Sequence, residues 1–159
     1  MIRERAGALV ALGLIVAGAA AGCGGSGSTS KQDFADNADK ICADTQARVT
    51  KLSKSNPQSR AELVNYIEQL KAAAQDGVKR LNALDTPEGD AGKTAKEFTG
   101  LLAQQYANEV VPALDSLRQA VTERDKKGLK AASKRLQAID DTQTNRLATQ
   151  LGAKGCAQS

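Results

Sequence analysis

Histidine and tryptophan are absent from this 159-residue chain, and phenylalanine and tyrosine occur twice each. Without histidine there is no Ser–His or Cys–His nucleophile pair and no imidazole to hold a metal. The Glu-x-x-His pairs of di-iron bundles are excluded for the same reason. So few aromatic rings provide no platform for stacking bases, and a formal net charge of only +4 is too balanced to point to nucleic acid. Acidic clusters offer little more. Asp140 and Asp141 follow Ile139 in helical phase, so they point to different faces and read as a solvated pair. Asp85, Glu88 and Asp90 lack the ligand series of an EF-hand and suit the positive end of a helix dipole instead. The expectation is a non-catalytic protein without metal or cofactor. Its core must come mainly from Ala, Leu, Val and Ile, which bury less area per residue than aromatic side chains.

Cysteine is scarce as well: three residues, Cys23, Cys42 and Cys156. Ahead of Cys23 lie Arg3 and Arg5, then an uncharged Ala/Gly/Leu-rich run from Ala6 to Gly22. That run is short for a bilayer-spanning helix, which needs about 20 residues. A basic start, an apolar stretch and small residues at its end have the form of a secretory signal peptide. Directly after Cys23 comes GGSGSTS, a flexible tether with no stop-transfer charges.

Ala20-Ala21-Gly22-Cys23 resembles the lipobox of bacterial lipoproteins. The resemblance implies that Cys23 receives a diacylglycerol and that a peptidase cuts just before it. Ala20 departs from the commoner Leu, and Arg3-Glu4-Arg5 lacks the adjacent arginine pair of the twin-arginine route. The implied organisation is a signal peptide over 1–22, a lipidated Cys23 with its tether over 23–30, and a folded domain over 31–159. Two or three acyl chains then hold the protein on the outside of the cell membrane, at about 0.8 kcal/mol per buried methylene. In that oxidising setting Cys42 and Cys156 remain as an even pair, and a bridge between them would close a loop of more than a hundred residues. Two free buried thiols are the alternative. The chain after Cys23 also resembles small secreted or lipid-anchored helical proteins of high-GC Gram-positive bacteria, through Ala38-Asp39-Lys40-Ile41-Cys42 and through Leu151-Gly152 followed by Cys156. That likeness implies a helical fold and no defined activity.

Apolar residues recur at helical spacing throughout. The rows are Phe34, Ala38, Ile41, Thr45, Val49, Leu52; then Leu63, Ile67, Leu70, Ala74, Val78, Leu81, Leu84. They continue as Ala95, Phe98, Leu102, Tyr106, Val110, Ala113, Leu117, Val121, and as Leu129, Ala132, Leu136, Ile139, Gln143, Leu147, Leu151. No segment shows the period of two that a strand needs. Ser59-Arg60-Ala61-Glu62 has the form of a capping box. Thr86-Pro87 reads as an N-cap with proline in the first turn, and Gly152 as a C-terminal stop. Helices are expected near 31–54, 59–84, 87–124 and 127–151. Short connections make this an all-α, up-down-up-down four-helix bundle. In that arrangement Cys42 and Cys156 share one pole, provided that the tail after Gly152 folds back along the first helix.

Two surfaces are candidates for function. Sorted by bundle end, residues 31–44, 82–92 and 149–159 carry a net −4, and 48–62 with 118–135 carry +8. Lys51, Lys54, Arg60, Arg124, Lys126, Lys127, Lys130 and Lys134 would form a basic tip facing away from the membrane, suited to an anionic wall polymer or another envelope protein. An ordinary solvated lysine face is the alternative. The second candidate is a small-molecule or lipid pocket near mid-height. Pro112 lacks the amide that would bond the carbonyl of Asn108, so a kink is expected there. Tyr66, Gln105, Tyr106, Thr142 and Gln143 gather at that height, either framing a pocket or hydrogen-bonding one another.

Overall fold

The computed structural model describes residues 28–158, whose regular elements are all helical, with no strand among them. The stretch expected to be a signal peptide, Cys23 and the start of the expected tether lie outside the described residues. Helix α1 spans Lys31–Ser53, α2 Arg60–Asn82 and α3 Gly89–Gln105. A π-helical turn at Tyr106–Val110 leads without a break into α4, Val111–Glu123. Helix α5, Lys126–Gln137, and α6, Thr142–Leu151, follow, and a 3-10 turn at Cys156–Gln158 is the last described element. The α3–π–α4 segment is continuous, whereas residues 138–141 separate α5 from α6.

The helices begin and end where side chains satisfy orphan backbone groups. Ser59 Oγ accepts from the Glu62 amide at 3.2 Å, and the Glu62 carboxylate accepts from the Ser59 amide at 3.1 Å, the reciprocal box expected there. A second box, Ser30 with Asp33, starts α1. Gly152, with φ of 91°, ends α6 in the left-handed conformation.

Two expected boundaries need correction. The third helix starts at Gly89 rather than at Pro87, because the chain passes through the left-handed region at Gly89 (φ 66°). A right-handed helix cannot extend back through that residue. The fourth helix is not one piece over 127–151 but two. Residues 138–141 leave the helix, and Asp140 Oδ1 accepts from the Thr142 amide at 2.9 Å to restart it. Asp140 and Asp141 therefore form the entry to α6 rather than a mid-helix pair. The Asp140 carboxyl is held below its usual range by its bonds to the Thr142 side chain and amide.

Ion pairs fix how neighbouring helices lie. Arg48 meets Asp76 at 2.6 Å, and Arg80 meets Asp44, so α1 and α2 run in opposite directions. Lys71 pairs with Asp115 at 2.8 Å and Arg118 with Glu68 at 3.1 Å, giving the same relation between α2 and α4. Helix α6 packs on α3 and α1, whereas α5 packs on α4.

Two apolar clusters result. The first joins Phe34, Ala38, Ile41, Leu81, Phe98, Leu147 and Leu151 with Ala153 and Cys156 of the tail. The second joins Ile67, Leu114 and Val121 with half-buried Leu63, Leu117, Leu129 and Leu136. Burying a Phe or Leu fully contributes roughly 1.5–3 kcal/mol, and Phe34 and Phe98 are each only 1% exposed. The tail does fold back on α1: Cys42 and Cys156 are bonded, with Cα atoms 5.2 Å apart. Asp39 Oδ1 accepts from the Gly155 and Cys156 amides at 2.8 and 3.2 Å.

Candidate functional site

Between the two apolar clusters the helices part and leave a half-open cavity of about 240 Å³. Two departures from regular helix occur at its wall. In α3–π–α4, Pro112 offers no amide to the Asn108 carbonyl, and the chain responds with a widened turn in which the Val111 amide donates to the Tyr106 carbonyl. Across the cavity, the break at 138–141 brings Ile139 and Asp141 to the lining. Gln105 joins the two irregular segments, its Nε2 donating to the Asp140 carbonyl at 2.8 Å. Half-buried Ala74, Val78, Leu102, Tyr106, Val110 and Ile139 line the cavity. They occupy positions that helical periodicity assigns to the core. The periodicity is right; the middle of the core is open.

The hydroxyls on this wall are already used. Thr45 Oγ1 donates to the Ile41 carbonyl at 2.9 Å, and Thr144 Oγ1 to that of Asp141 at 2.7 Å. Tyr106 donates its phenol to the Lys71 carbonyl at 2.9 Å. Burial pushes that phenol above its ordinary pKa, with the Lys71 charge acting in the opposite sense, so it stays a donor. Lys71 is itself raised by its hydrogen bond to Asp115. What the wall presents inward is therefore chiefly carbon. Gln46, Asn145 and Asp141 are the lining side chains none of whose polar atoms is bonded to another described group, and Gln105 uses only its Nε2.

Of the five residues expected at a pocket, Gln105 and Tyr106 line this cavity. Tyr66 lines a separate shallow cleft with Leu52, Pro57 and Glu62. Thr142 is exposed at the start of α6. Gln143 faces outward, its amide 3.5 Å from Glu97. In α6 Leu147 and Leu151 are buried as their spacing implies, together with Ala148, but in the first turn it is Thr144 rather than Gln143 that turns inward. The sequence reading missed Thr45, Gln46, Gly77, Thr144 and Asn145 at the wall. Asp140-Asp141-Thr142, a helix-entry pattern, was the available signal for the break.

The second candidate lies at the end formed by the α1–α2 and α4–α5 connections. Arg124 takes the left-handed conformation (φ 59°), and Asp125 Oδ1 then accepts from the Lys127 amide at 2.9 Å to start α5. A Cβ at Gly128 would meet Ala120 at 3.1 Å, so its absence lets α5 close tightly on α4. The second apolar cluster joins the start of α2 to the end of α4 and to α5. This brings Lys51, Lys54 and Arg60 to the same end as Arg124, Lys126, Lys127, Lys130 and Lys134. All eight are exposed, and among the described residues none of them forms an ion pair. Nearby acids are engaged locally: Glu62 in its capping box, Glu123 with the Gln119 amide, and Asp125 at the α5 start.

Among the described residues no three His, Cys, Asp or Glu side chains gather as a metal site, and no helix is long and apolar enough to cross a membrane. Compared with protein-family models, characterised proteins and solved structures, the chain matches none.

Proposed function

We propose that this protein is a lipid-anchored, extracytoplasmic interaction module without catalytic function, presenting a basic helical tip to an anionic polymer or an envelope protein. The observation that carries this reading is the gathering of eight exposed, unpaired cations at one end of the molecule. Opposed helix directions in α1/α2 and α2/α4, with short connections, support an up-down-up-down bundle. In that bundle Lys51 stands 20 residues beyond the start of α1, roughly 30 Å along the axis at 1.5 Å per residue.

The lipobox-like Ala20-Ala21-Gly22-Cys23 supplies the anchor, and the Gly/Ser tether gives it reach. The acidic pole then faces the membrane and the basic pole faces away from it. An often anionic bilayer repels the first, which keeps the second free for a partner. Unpaired surface cations attract a polyanion over about a Debye length, near 8 Å at physiological ionic strength. Association through this tip should therefore weaken with salt.

The test is wall association in cells producing the full chain with Lys126, Lys127 and Lys130 changed together to Gln. Loss of association, with membrane retention unchanged, supports the reading. Undiminished association of that variant counts decisively against it. Cys23→Ser separates the two halves of the proposal, since it should release the protein from the membrane and leave the tip intact.

A further inference from the structure

We propose that the mid-height cavity binds a small neutral apolar molecule carrying one hydrogen-bonding group. This is independent of the basic tip and rests on other residues. Size sets the first limit. A cavity of about 240 Å³ is larger than the ~150 Å³ apolar cavity that takes up benzene and smaller than the 300–1,000 Å³ sites of drug-sized ligands. A two-ring aromatic or a medium alkyl chain fits that range.

Wall chemistry sets the second limit. Val78, Leu81, Phe98, Leu102, Val110 and Ile139 supply apolar surface. Thr45, Thr144 and Tyr106 have spent their hydroxyl protons on main-chain carbonyls. A ligand body in contact with them needs no polar atoms of its own. Gln46 and Asn145, exposed and half-buried respectively, are free to bond one polar group of the ligand.

Charge sets the third. Asp141 is the one charged side chain on the lining, and it is negative. A carboxylate ligand would meet a like charge with no cation on the wall to offset it, which disfavours fatty acids and favours neutral molecules over anions.

Architecture points the same way. The π turn and the α5–α6 break both abut this cavity, and π turns recur at functional sites. The Cys42–Cys156 bridge forms part of the wall and holds α1 against the tail where a ligand would sit.

The probe is 1-naphthol, neutral near pH 7, with 1-naphthoate as its charged counterpart. The full chain is held in phospholipid nanodiscs with isoleucine δ-methyl groups labelled. Ile139 lines the cavity, whereas Ile41 and Ile67 sit in the two apolar clusters. Naphthol should shift the Ile139 methyl resonance saturably and leave Ile67 in place. Naphthoate should bind on the order of tenfold more weakly or worse. Val78→Phe and, separately, Ala74→Leu grow side chains into the space and should abolish the saturable shift, while unchanged Ile41 and Ile67 resonances report an intact fold. An unmoved Ile139, a non-saturating shift shared with Ile67, or binding that survives in a folded blocking variant overturns the site. Equal affinity for naphthoate overturns the neutral-ligand assignment.

Discussion

At the scale of single residues, Gly92 shows how one missing methyl group sets a loop. It lies buried in α3, and a Cβ built there would fall well inside contact distance of the Pro87 carbonyl oxygen. The obstacle is main chain, held by the turn through Gly89, so it cannot swing aside as a flexible side chain could. Gly92→Ala should therefore destabilise the protein, even though Ala is the better helix former by about 1 kcal/mol. Overpacking of this kind costs typically 1–3 kcal/mol, and urea unfolding should show a lower midpoint at unchanged slope. A stabilised variant would mean that the 87–89 turn relaxes freely. Nothing in the sequence announces this contact. Thr86-Pro87 looks like a helix start until the positive φ of Gly89 is known, because the same Gly could equally have been an ordinary first-turn residue.

At the scale of elements, the start of α2 is the most legible feature of the chain. Ser59 and Glu62 form the box that their spacing implies, and Glu62 also accepts from the Gln58 amide at 2.7 Å. Those bonds, the Gln58 amide foremost and then that of Ser59, hold the Glu62 carboxyl below the ordinary glutamate range. A carboxylate with a depressed folded-state pKa stabilises the fold above its unfolded pKa, and that stabilisation is lost as pH falls through the folded value. Glutamine can fill the same capping position but does not titrate. The stability advantage of the native chain over Glu62→Gln should therefore be constant near neutral pH and shrink below the ordinary glutamate range. Denaturant unfolding of both proteins at pH 7 and at about pH 3 measures this, and the comparison cancels the other carboxylates. An advantage independent of pH would show that the carboxylate does not carry the cap.

Other elements were less legible for a definite reason. Periodicity identifies which face of a helix is apolar, and it located Phe34, Ile67, Phe98 and Leu151 in the interior correctly. It cannot register a short interruption when the residues on both sides of it remain compatible with a helix. Ile139-Asp140-Asp141 contains neither Gly nor Pro, so the row ran on through Gln143 while the protein buries Thr144. The cavity was hidden similarly. Ala74, Val78, Leu102 and Val110 look the same in sequence whether they meet another side chain or an open space. Pro112 follows the π turn at Tyr106–Val110, which is how the chain accommodates the amide that proline lacks.

For the whole molecule, the decisive connection is the one between the ends of the described chain. The Cys42–Cys156 bridge spans 114 residues, and cross-links that close long loops restrict the unfolded chain most, in the chain-entropy account. Removing a native disulfide from a small secreted domain typically costs 2–5 kcal/mol. Replacing both cysteines by Ala should lower stability by about that amount, read by urea unfolding. The loss should also be uneven. Leu151, Ala153 and Cys156 are buried in the cluster that contains Phe34 and Ile41, and the tail is otherwise held there by the two amide bonds to Asp39. The cluster around Ile67, Leu114 and Val121 includes no residue of α1, α6 or the tail. Hydrogen exchange in the double variant should accelerate first over 148–156 and the opening turns of α1, while α2's first half, α4 and α5 stay protected until global unfolding. Uniform acceleration would mean that the two clusters form one cooperative unit. An uneven response would show that the disulfide fastens the acidic end of the molecule while the basic end holds itself together by apolar packing and the α2–α4 ion pairs.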